Sequence, residues 1–184
     1  MEDGEGCSHG PHVFSESVPE ALHARHAFSF LPAVDHTSPP KLDVAAIDCE
    51  MIYTTGGLRV ARVSVIDGCG KEVLDQLIRM DDGVQVMCID HLNSCALVNL
   101  EVFTSDYNTR FSGVTADNHT AATTDLAGIR AVLNTLIDSN TILIGHGLEN
   151  DLKTLRIIHG RCIDTALLFP HKAGKPYRRS LKEL

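Results

Sequence analysis

Val44-Ala-Ala-Ile-Asp48-Cys-Glu50-Met51 is an apolar run of the kind that forms a β-strand, and it carries two acidic residues at positions i and i+2. Successive side chains of a strand point to opposite faces, so Asp48 and Glu50 are predicted to lie on the same side. Neighbouring carboxylates repel each other, and a divalent cation such as Mg²⁺ or Mn²⁺, which prefers oxygen ligands, offsets that repulsion. An acidic pair on a solvent-facing edge strand has the same pattern. The pair alone therefore leaves a metal site and an ordinary surface both open.

The composition is typical of a soluble intracellular α/β protein. Hydrophobic residues make up 43% of the 184 residues, and the formal net charge is −8. The acidic first residues lead into no apolar run, and no stretch approaches the roughly 18 apolar residues of a membrane span. We therefore expect no membrane association and a nuclear or cytoplasmic location, or both. The six cysteines show no C-x-x-C spacing, which favours reduced thiols.

The charge is distributed unevenly along the chain. Residues 151–184 hold eight Lys and Arg against three acids, whereas residues 1–150 hold eight against twenty-one. A basic segment beside an acidic centre suits a metal-dependent phosphodiesterase, whose substrate is an anion. A solvated helix face gives the same distribution, so the charge pattern alone does not decide between them.

The sequence divides into a linker-like segment and one domain. Residues 1–40 are rich in Gly, His, Ser and Pro, which predicts a flexible N-terminal segment and linker. In the domain, residues 41–184, three strand-like runs follow one another: Lys41–Thr55, Leu58–Asp67 and Glu72–Ile78. The links between them have the length of hairpin turns, so we predict an antiparallel meander.

The second half of the domain alternates between helical and strand patterns. Thr123 or Thr124 can cap a helix that runs to about Ile137, and the short strand at residues 140–145 precedes a helix from about Leu148 to His159. Because parallel pairing needs a crossover, residues 140–145 are predicted to lie parallel to the first strand. The run near residues 86–105 is apolar without a period of 2 or 3.6, which predicts an insert.

Three motifs carry a family resemblance. The first is Asp48-Cys-Glu50-Met51 with Tyr53-Thr-Thr55; the second is Asp106-Tyr-Asn-Thr-Arg-Phe-Ser-Gly-Val-Thr115; the third is Ile142-Leu-Ile-Gly-His146-Gly-Leu-Glu-Asn-Asp151-Leu. In this order they resemble the Rex-type, fungal-like RNA 3′→5′ exonucleases of the DEDDh group within the DEDD superfamily. The resemblance covers nearly the whole chain except the residues near 86–105.

The resemblance implies a fold and a reaction. The expected fold is a ribonuclease-H-like mixed sheet, three antiparallel strands and then parallel ones, flanked by helices. The expected reaction is hydrolysis of the terminal phosphodiester of single-stranded RNA 3′ ends to 5′-mononucleotides with two Mg²⁺ or Mn²⁺ ions, as in RNA 3′-end processing. By motif, Asp48 would bridge both ions, Glu50 would bind the ion on the nucleophile side, and Asp151 would bind the other.

The resemblance also suggests contacts with nucleic acid. Met51 and Phe111 are similar to apolar residues that stack or wedge against terminal bases, and His146 matches the histidine of the third stretch. For Met51 and Phe111 a place in the buried core is at least as plausible, and for His146 a structural role is equally so. Asp164, in the Cys-Ile-Asp-Thr strand, is expected to be structural.

One motif of the family has no match. The family's general base is a His five residues before a fourth acid, on a late helix; here His146–Asp151 and His159–Asp164 have that spacing, but neither stands at that place. The domain is therefore expected to be truncated at its C-terminus, with its last helices missing and its activity impaired. The alternatives are a non-catalytic RNA- or metal-binding remnant of the family and, ranked lowest, a DNA-directed nuclease.

Overall fold

A computed structural model describes residues 27–54, 57–80, 107, 109–174 and 177–184. The predicted insert near 86–105 and the first 26 residues of the predicted N-terminal segment lie outside these residues. No helix within the described ranges is long and apolar enough to cross a membrane. The elements are β1 (Ser29–Phe30), β2 (Val44–Thr54), β3 (Gly57–Asp67), β4 (Glu72–Leu77), α1 (Thr109–Ser112), α2 (Ala116–Thr120), α3 (Leu126–Leu136), β5 (Ile142–Gly145), α4 (Leu148–Leu155), β6 (Ile157–Ile158), β7 (Cys162–Asp164), α5 (Thr165–Leu168) and a 3-10 turn at Leu181–Glu183.

Five strands form one mixed sheet in the order β4-β3-β2-β5-β7. β2, β3 and β4 pair antiparallel, whereas β5 runs parallel to β2 and β7 parallel to β5. The tight connections permit only antiparallel neighbours, while the segments that contain α3 and α4 supply the crossovers that parallel pairing requires. The predicted α/β fold, with three antiparallel strands followed by parallel strands and flanking helices, is confirmed.

The two faces of β2 have different surroundings. Ala45, Ile47 and Cys49 are buried in the main core cluster, which also contains Ile129 and Leu133 of α3. The alternate residues of β2 face the other way, where a smaller cluster is made by Ile52, Ala61, Met80 and Val114. Strand alternation thus gives β2 one face committed to the core and one face that carries Asp48 and Glu50.

Helix α3 begins one or two residues later than the sequence pattern predicts. Its N-cap is Asp125, whose carboxylate accepts a hydrogen bond from the backbone N–H of Gly128 at 2.7 Å, so the prediction of Thr123 or Thr124 as the cap is wrong. The Thr124 backbone is used elsewhere, because its carbonyl accepts the Arg79 N–H and the residue bridges to Ile78. The sequence offers several polar residues that could cap this helix. The backbone contacts of Thr124 with Ile78 and Arg79 leave Asp125 as the cap.

Helix α4 is shorter than its apolar pattern predicts. It ends at Leu155, where Arg156 adopts a left-handed conformation with φ of 57°, and Ile157–Ile158 form β6. The predicted extension to His159 is therefore wrong. The reason is tertiary: β6 pairs in parallel with β1, which lies more than a hundred residues earlier.

Residues 27–40, which were predicted to be linker, lie against the domain. Leu31 is 5% exposed within the main core cluster, and the Pro32 carbonyl accepts a hydrogen bond from the Ser139 N–H at 2.8 Å. Arg130 donates to the Ala27 carbonyl oxygen at 2.9 Å. A Pro- and Ser-rich composition predicts a lack of regular structure, but it does not prevent such a segment from packing.

Replacing Gly145 with Ala is expected to destabilise the fold by about 1–3 kcal/mol, the usual cost of overpacking. A Cβ at this position would lie 2.7 Å from Leu148 Cδ1 and 3.2 Å from the Ile47 carbonyl oxygen, and Leu148 is itself buried. Gly160→Ala is the control, since a Cβ there meets no atom within 4 Å. Urea unfolding would measure both variants, and equal effects would contradict the close packing of β2, β5 and α4.

Candidate active site

Asp48 and Glu50 stand on one face of β2, near the point where its pairing with β3 changes. Asp48 is opposite Ser64 and Glu50 is opposite Arg62, but Met51 is opposite Val60, so β3 contains one extra residue here. Such a β-bulge re-aims the side chains that follow it and is common beside functional sites. Both acids therefore point away from the main core at an irregular part of the sheet.

Asp151 reaches the same strand from α4. The parallel pairing of β2 with β5 extends only from Val44 to Ala46, which leaves the later part of that edge of β2 without a strand neighbour. Asp151 Oδ1 accepts a hydrogen bond from the Cys49 backbone N–H there at 2.9 Å, and the residue is only 5% exposed. Asp151 is thus held next to Cys49, the residue between Asp48 and Glu50.

The electrostatics of these acids show a shortage of positive charge. Burial, followed by the negative charge of Asp48, raises the pKa of Asp151 to about 7, although the Cys49 N–H opposes the shift. Burial and then Asp48 also raise the pKa of Glu50, and the Arg62 charge partly offsets this. A cation placed among the carboxylates would relieve the repulsion that both shifts record.

The donor set suits a hard divalent cation, since three carboxylates supply the oxygen ligands that Mg²⁺ and Mn²⁺ prefer. In the described part of the chain, however, no three His, Cys, Asp or Glu side chains already stand as a metal-holding group. Asp48 and Glu50 lie on one face, and Asp151 approaches the strand at its edge. A metal ion would have to bring the carboxylate oxygens together by rotation of these side chains.

His146 follows β5 and is oriented by a threonine. Its Nδ1 lies 2.9 Å from Thr165 Oγ1, which in turn donates to the Gly145 carbonyl oxygen at 3.1 Å. Because the single hydroxyl proton of Thr165 is used on that carbonyl, Thr165 Oγ1 accepts from the Nδ1–H of His146. This arrangement leaves Nε2 as the ring nitrogen of His146 that can bind another group.

The second His-x₄-Asp pair is structural. His159 Nε2 donates to the Thr141 carbonyl oxygen at 2.7 Å. Asp164 accepts hydrogen bonds from the Gly147, Leu148 and Ala166 N–H groups, so it caps the start of both α4 and α5. Burial raises the pKa of Asp164, but these three hydrogen bonds, together with one that involves the Glu149 side chain, lower it overall. The structural role expected for Asp164 agrees with this geometry.

Asp164→Asn is expected to destabilise the protein by about 1–2 kcal/mol at neutral pH, because an amide oxygen cannot replace both carboxylate oxygens. A lowered pKa gives stability that is present above the unfolded-state value of 3.8 and is lost as pH falls through the folded-state pKa. The difference from wild type should therefore shrink on acidification. Asp125→Asn is the control, since an amide oxygen can also accept the Gly128 N–H. Thermal unfolding from pH 3 to pH 7 is the measurement. If the capping role were wrong, the stability difference between Asp164→Asn and wild type would not vary with pH.

The two predicted base-stacking residues have different surroundings. Met51 is half-buried and packs against the main core cluster, on the face of β2 opposite to Glu50. This position agrees with the alternative of a core residue, and contact with a base stays a prediction. Phe111 lies in the short helix α1, and its side chain is outside the described part of the structure.

The structure adds a residue pair that sequence patterns missed. Arg62, opposite Glu50, forms a two-pronged ion pair with Asp75 of β4, with Nε–Oδ1 at 2.6 Å and Nη2–Oδ2 at 2.5 Å. The signal was present, because counting back from the β2–β3 turn places an arginine near Glu50. The bulge at the register shift made the exact partner impossible to count.

Comparison with known proteins identifies relatives along the sequence. RNA exonuclease 1 homolog from Homo sapiens is 40% identical over 141 residues, which is 77% of this chain and 10% of that protein. RNA exonuclease 3 from Schizosaccharomyces pombe is 38% identical over 99% of this chain and 30% of its own length. RNA exonuclease 3 from Candida albicans is 35% identical over 99% of this chain and 41% of its own length. The chain thus spans less than half the length of these relatives, and no family model matches it.

Two solved structures share the fold. The Neurospora crassa Pan2 catalytic unit, with protease and nuclease domains, has a TM-score of 0.55 at 19% identity, over 88% of this chain and 27% of that one. The Saccharomyces cerevisiae Pan2 pseudoubiquitin hydrolase–RNA exonuclease module has a TM-score of 0.52 at 20% identity, over 84% of this chain and 25% of that one. At such identity the likeness shows the architecture of the chain.

Proposed function

This chain is homologous to the Rex-type RNA exonucleases, and we propose that it is a 3′→5′ exoribonuclease that acts on the 3′ ends of single-stranded RNA. The proposed products are nucleoside 5′-monophosphates, and the proposed setting is RNA 3′-end processing. The observation that carries the proposal is the hydrogen bond between the Cys49 N–H and Asp151, because it brings a buried acid to the strand of Asp48 and Glu50.

Asp48, Glu50 and Asp151 would hold two Mg²⁺ or Mn²⁺ ions. When bound, such ions lower the pKa of an attacking water and stabilise charge on the attacking and leaving oxygens. The protein's own contribution is positional: the Cys49 N–H fixes one oxygen of Asp151, and burial keeps that carboxylate from turning to solvent. The ionisation of Asp151 near neutral pH would couple ion binding to proton release.

His146 is proposed to contact RNA rather than to bind a metal ion. Thr165 accepts from its Nδ1–H, so Nε2 can accept a hydrogen bond from a ribose hydroxyl or, when protonated, donate to a phosphate. The residue follows β5, three residues after Leu143 of the core and five before Asp151. A nucleotide whose phosphate reached the acids would therefore bring its sugar within range of this loop.

Asp48→Ala is expected to abolish the heat of Mn²⁺ binding in a calorimetric titration, since this residue would bridge both ions. Glu72→Ala removes an exposed acid at the far end of β4 and is the matched control, with binding expected to be unchanged. Unaltered Mn²⁺ binding by Asp48→Ala would remove the metal site from this position.

The reaction itself is tested with 5′-labelled RNA and Mg²⁺. Products shortened stepwise from the 3′ end are expected, with slower or no shortening of DNA of the same sequence. RNA and Mn²⁺ binding without any turnover would favour a non-catalytic remnant of the family, and preference for DNA would favour a DNA-directed nuclease.

A further inference from the structure

Arg62 places a cation beside the acidic pair of β2. It lies directly opposite Glu50 in the antiparallel β2–β3 register, and Ser64, two residues on, lies opposite Asp48. Directly opposed residues of an antiparallel pair project to the same face with their Cβ atoms about 5 Å apart. The guanidinium therefore belongs to the face that carries Asp48 and Glu50, not to the main core.

Asp75 fixes the orientation of this guanidinium. Its two carboxylate oxygens accept from Nε at 2.6 Å and from Nη2 at 2.5 Å, the fork-on-fork geometry that is specific to arginine. Asp75 belongs to β4, on the side of β3 away from β2, so the bond holds the Nε and Nη2 edge away from Glu50. An exposed ion pair adds little stability by itself, but this one determines which edge of Arg62 stays available.

The remaining edge of Arg62 is directed towards the loop after α1. Nη1 lies 4.0 Å from the position that a Cβ on Gly113 would occupy, and Gly113 has a φ of +65°. Within the described residues Nη1 has no hydrogen-bond partner, and the Arg62 side chain is 39% exposed. A guanidinium that is half-shielded, fixed on one edge and open on the other is ready to bind an oxyanion.

We propose that Arg62 binds a backbone phosphate of the RNA substrate through Nη1, and that Asp75 is the positioning residue that presents it. The proposal rests on the proposed exonuclease function and adds a substrate contact to it. An RNA strand whose terminal phosphodiester reaches Asp48 and Glu50 has its next phosphates only a nucleotide away, within reach of a side chain on the neighbouring strand. The cation also compensates the repulsion between the acidic pair and the anionic backbone.

Binding is measured by fluorescence anisotropy of a short 5′-labelled oligoadenylate, with Ca²⁺ in place of Mg²⁺ so that the RNA stays intact. Arg62→Gln is expected to weaken binding about tenfold and to reduce the slope of log affinity against log salt by about 0.7, the value for one phosphate contact on a single strand. Lys71→Gln removes the same charge in the distant β3–β4 turn and is the control, with much smaller changes. Arg62→Lys, which keeps the charge but loses the fork, should fall between wild type and Arg62→Gln.

A neutral-linkage scan separates a direct contact from a structural effect. One methylphosphonate at a time is placed at the linkages nearest the 3′ end, and each oligonucleotide is bound to wild type and to Arg62→Gln. At one linkage the neutral group should weaken binding to wild type but leave binding to Arg62→Gln unchanged. The same penalty at every linkage for both proteins would overturn the Arg62 contact while leaving the exonuclease proposal in place. Failure of wild type to bind RNA at all would overturn both.

Thermal unfolding of both Arg62 variants checks that they are folded. If Arg62→Gln is unfolded, its loss of binding does not support the contact. Arg62→Lys is then compared with wild type in the same neutral-linkage scan. The contrary result is a folded Arg62→Lys that binds RNA as tightly as wild type and loses the same affinity at each methylphosphonate. The two-pronged geometry of arginine would then have no role, and the proposal would fail.

Discussion

Asp151→Asn is expected to reduce metal-dependent RNA hydrolysis strongly while making the metal-free protein more stable at neutral pH. Both effects are expected of a carboxylate whose negative charge is required for function but destabilises the fold because it is buried. The amide keeps the shape of the side chain, and its oxygen can still accept the hydrogen bond from the Cys49 N–H. The two effects therefore report on the charge alone.

The loss of activity should be roughly a thousandfold, because charge stabilisation by a bound metal ion is worth several kcal/mol. Asp151 would be one of the three charged ligands, and a neutral amide is a poor replacement for a carboxylate beside a divalent ion. Hydrolysis of 3′-terminal RNA under Mg²⁺ is the measurement. Activity of Asp151→Asn close to that of wild type would exclude this residue as a ligand.

The gain of stability follows from the raised pKa. Burial and the Asp48 charge raise the pKa of Asp151 from 3.8 to about 7, so the folded protein keeps the proton over a range in which the unfolded chain has lost it. Stability due to this group is full below the unfolded-state value and is lost as pH rises towards 7. Asn cannot ionise, so the variant should gain about 2–4 kcal/mol over wild type at pH 7–8 and nothing near pH 3.

Urea unfolding in the presence of a chelator, repeated from pH 3 to pH 8, would measure this difference. Asp138→Asn is the matched control, because Asp138 is also buried, at 7% exposure, but lies away from the acids and binds the Asn140 N–H. Asp138→Asn should leave hydrolysis unchanged. Its difference in stability from wild type should not show the pH dependence expected for Asp151→Asn. If the stability difference between Asp151→Asn and wild type did not vary with pH, burial of the Asp151 charge would not be what destabilises the folded protein.

Appending the segment of a fungal relative that carries the family's His-x₄-Asp is expected to raise RNA hydrolysis by the 184-residue polypeptide by about 10²–10⁴-fold, the usual contribution of a general base. Neither pair with that spacing here supplies a base together with a fourth acid. His146 keeps Nε2 free, but the acid of its pair, Asp151, is already one of the three proposed ligands, and His159 donates to the Thr141 carbonyl. The acid of the second pair, Asp164, caps two helices. We therefore expect the 184 residues alone to hydrolyse RNA slowly.

A second effect of the appended segment has to be separated from the first. Leu167 and Leu168 are 66% and 60% exposed, so an added helix that covered them would also suppress aggregation. The same segment with its histidine changed to alanine is the control, since it restores cover without the base. Equal gains from both segments would assign the improvement to packing, and fast hydrolysis by the unextended polypeptide would reveal a base elsewhere in the chain.

Several parts of the fold could be predicted because they depend on local patterns. The hairpin-length links fixed β2, β3 and β4 as antiparallel neighbours, and the later strand–helix–strand order required β5 to be parallel. Alternation along β2 placed Asp48 and Glu50 on one face. The ends of elements were less predictable, because Thr124 contacts Ile78 and Arg79, the residues that follow β4, and Asp125 is the cap instead.

The sequence by itself determined the strand that carries the acidic pair, the pairing of β2 with β3 and β5, and the similarity to RNA exonucleases, since each depends on neighbouring residues or on motifs. Only the tertiary structure decided which N–H holds Asp151, which edge of Arg62 Asp75 leaves open, and which two helices Asp164 caps. The partners in these contacts are 13 to 102 residues apart in the chain. Their distances depend on sheet register, on the bulge after Glu50 and on where β5 stops pairing, and no local pattern specifies those.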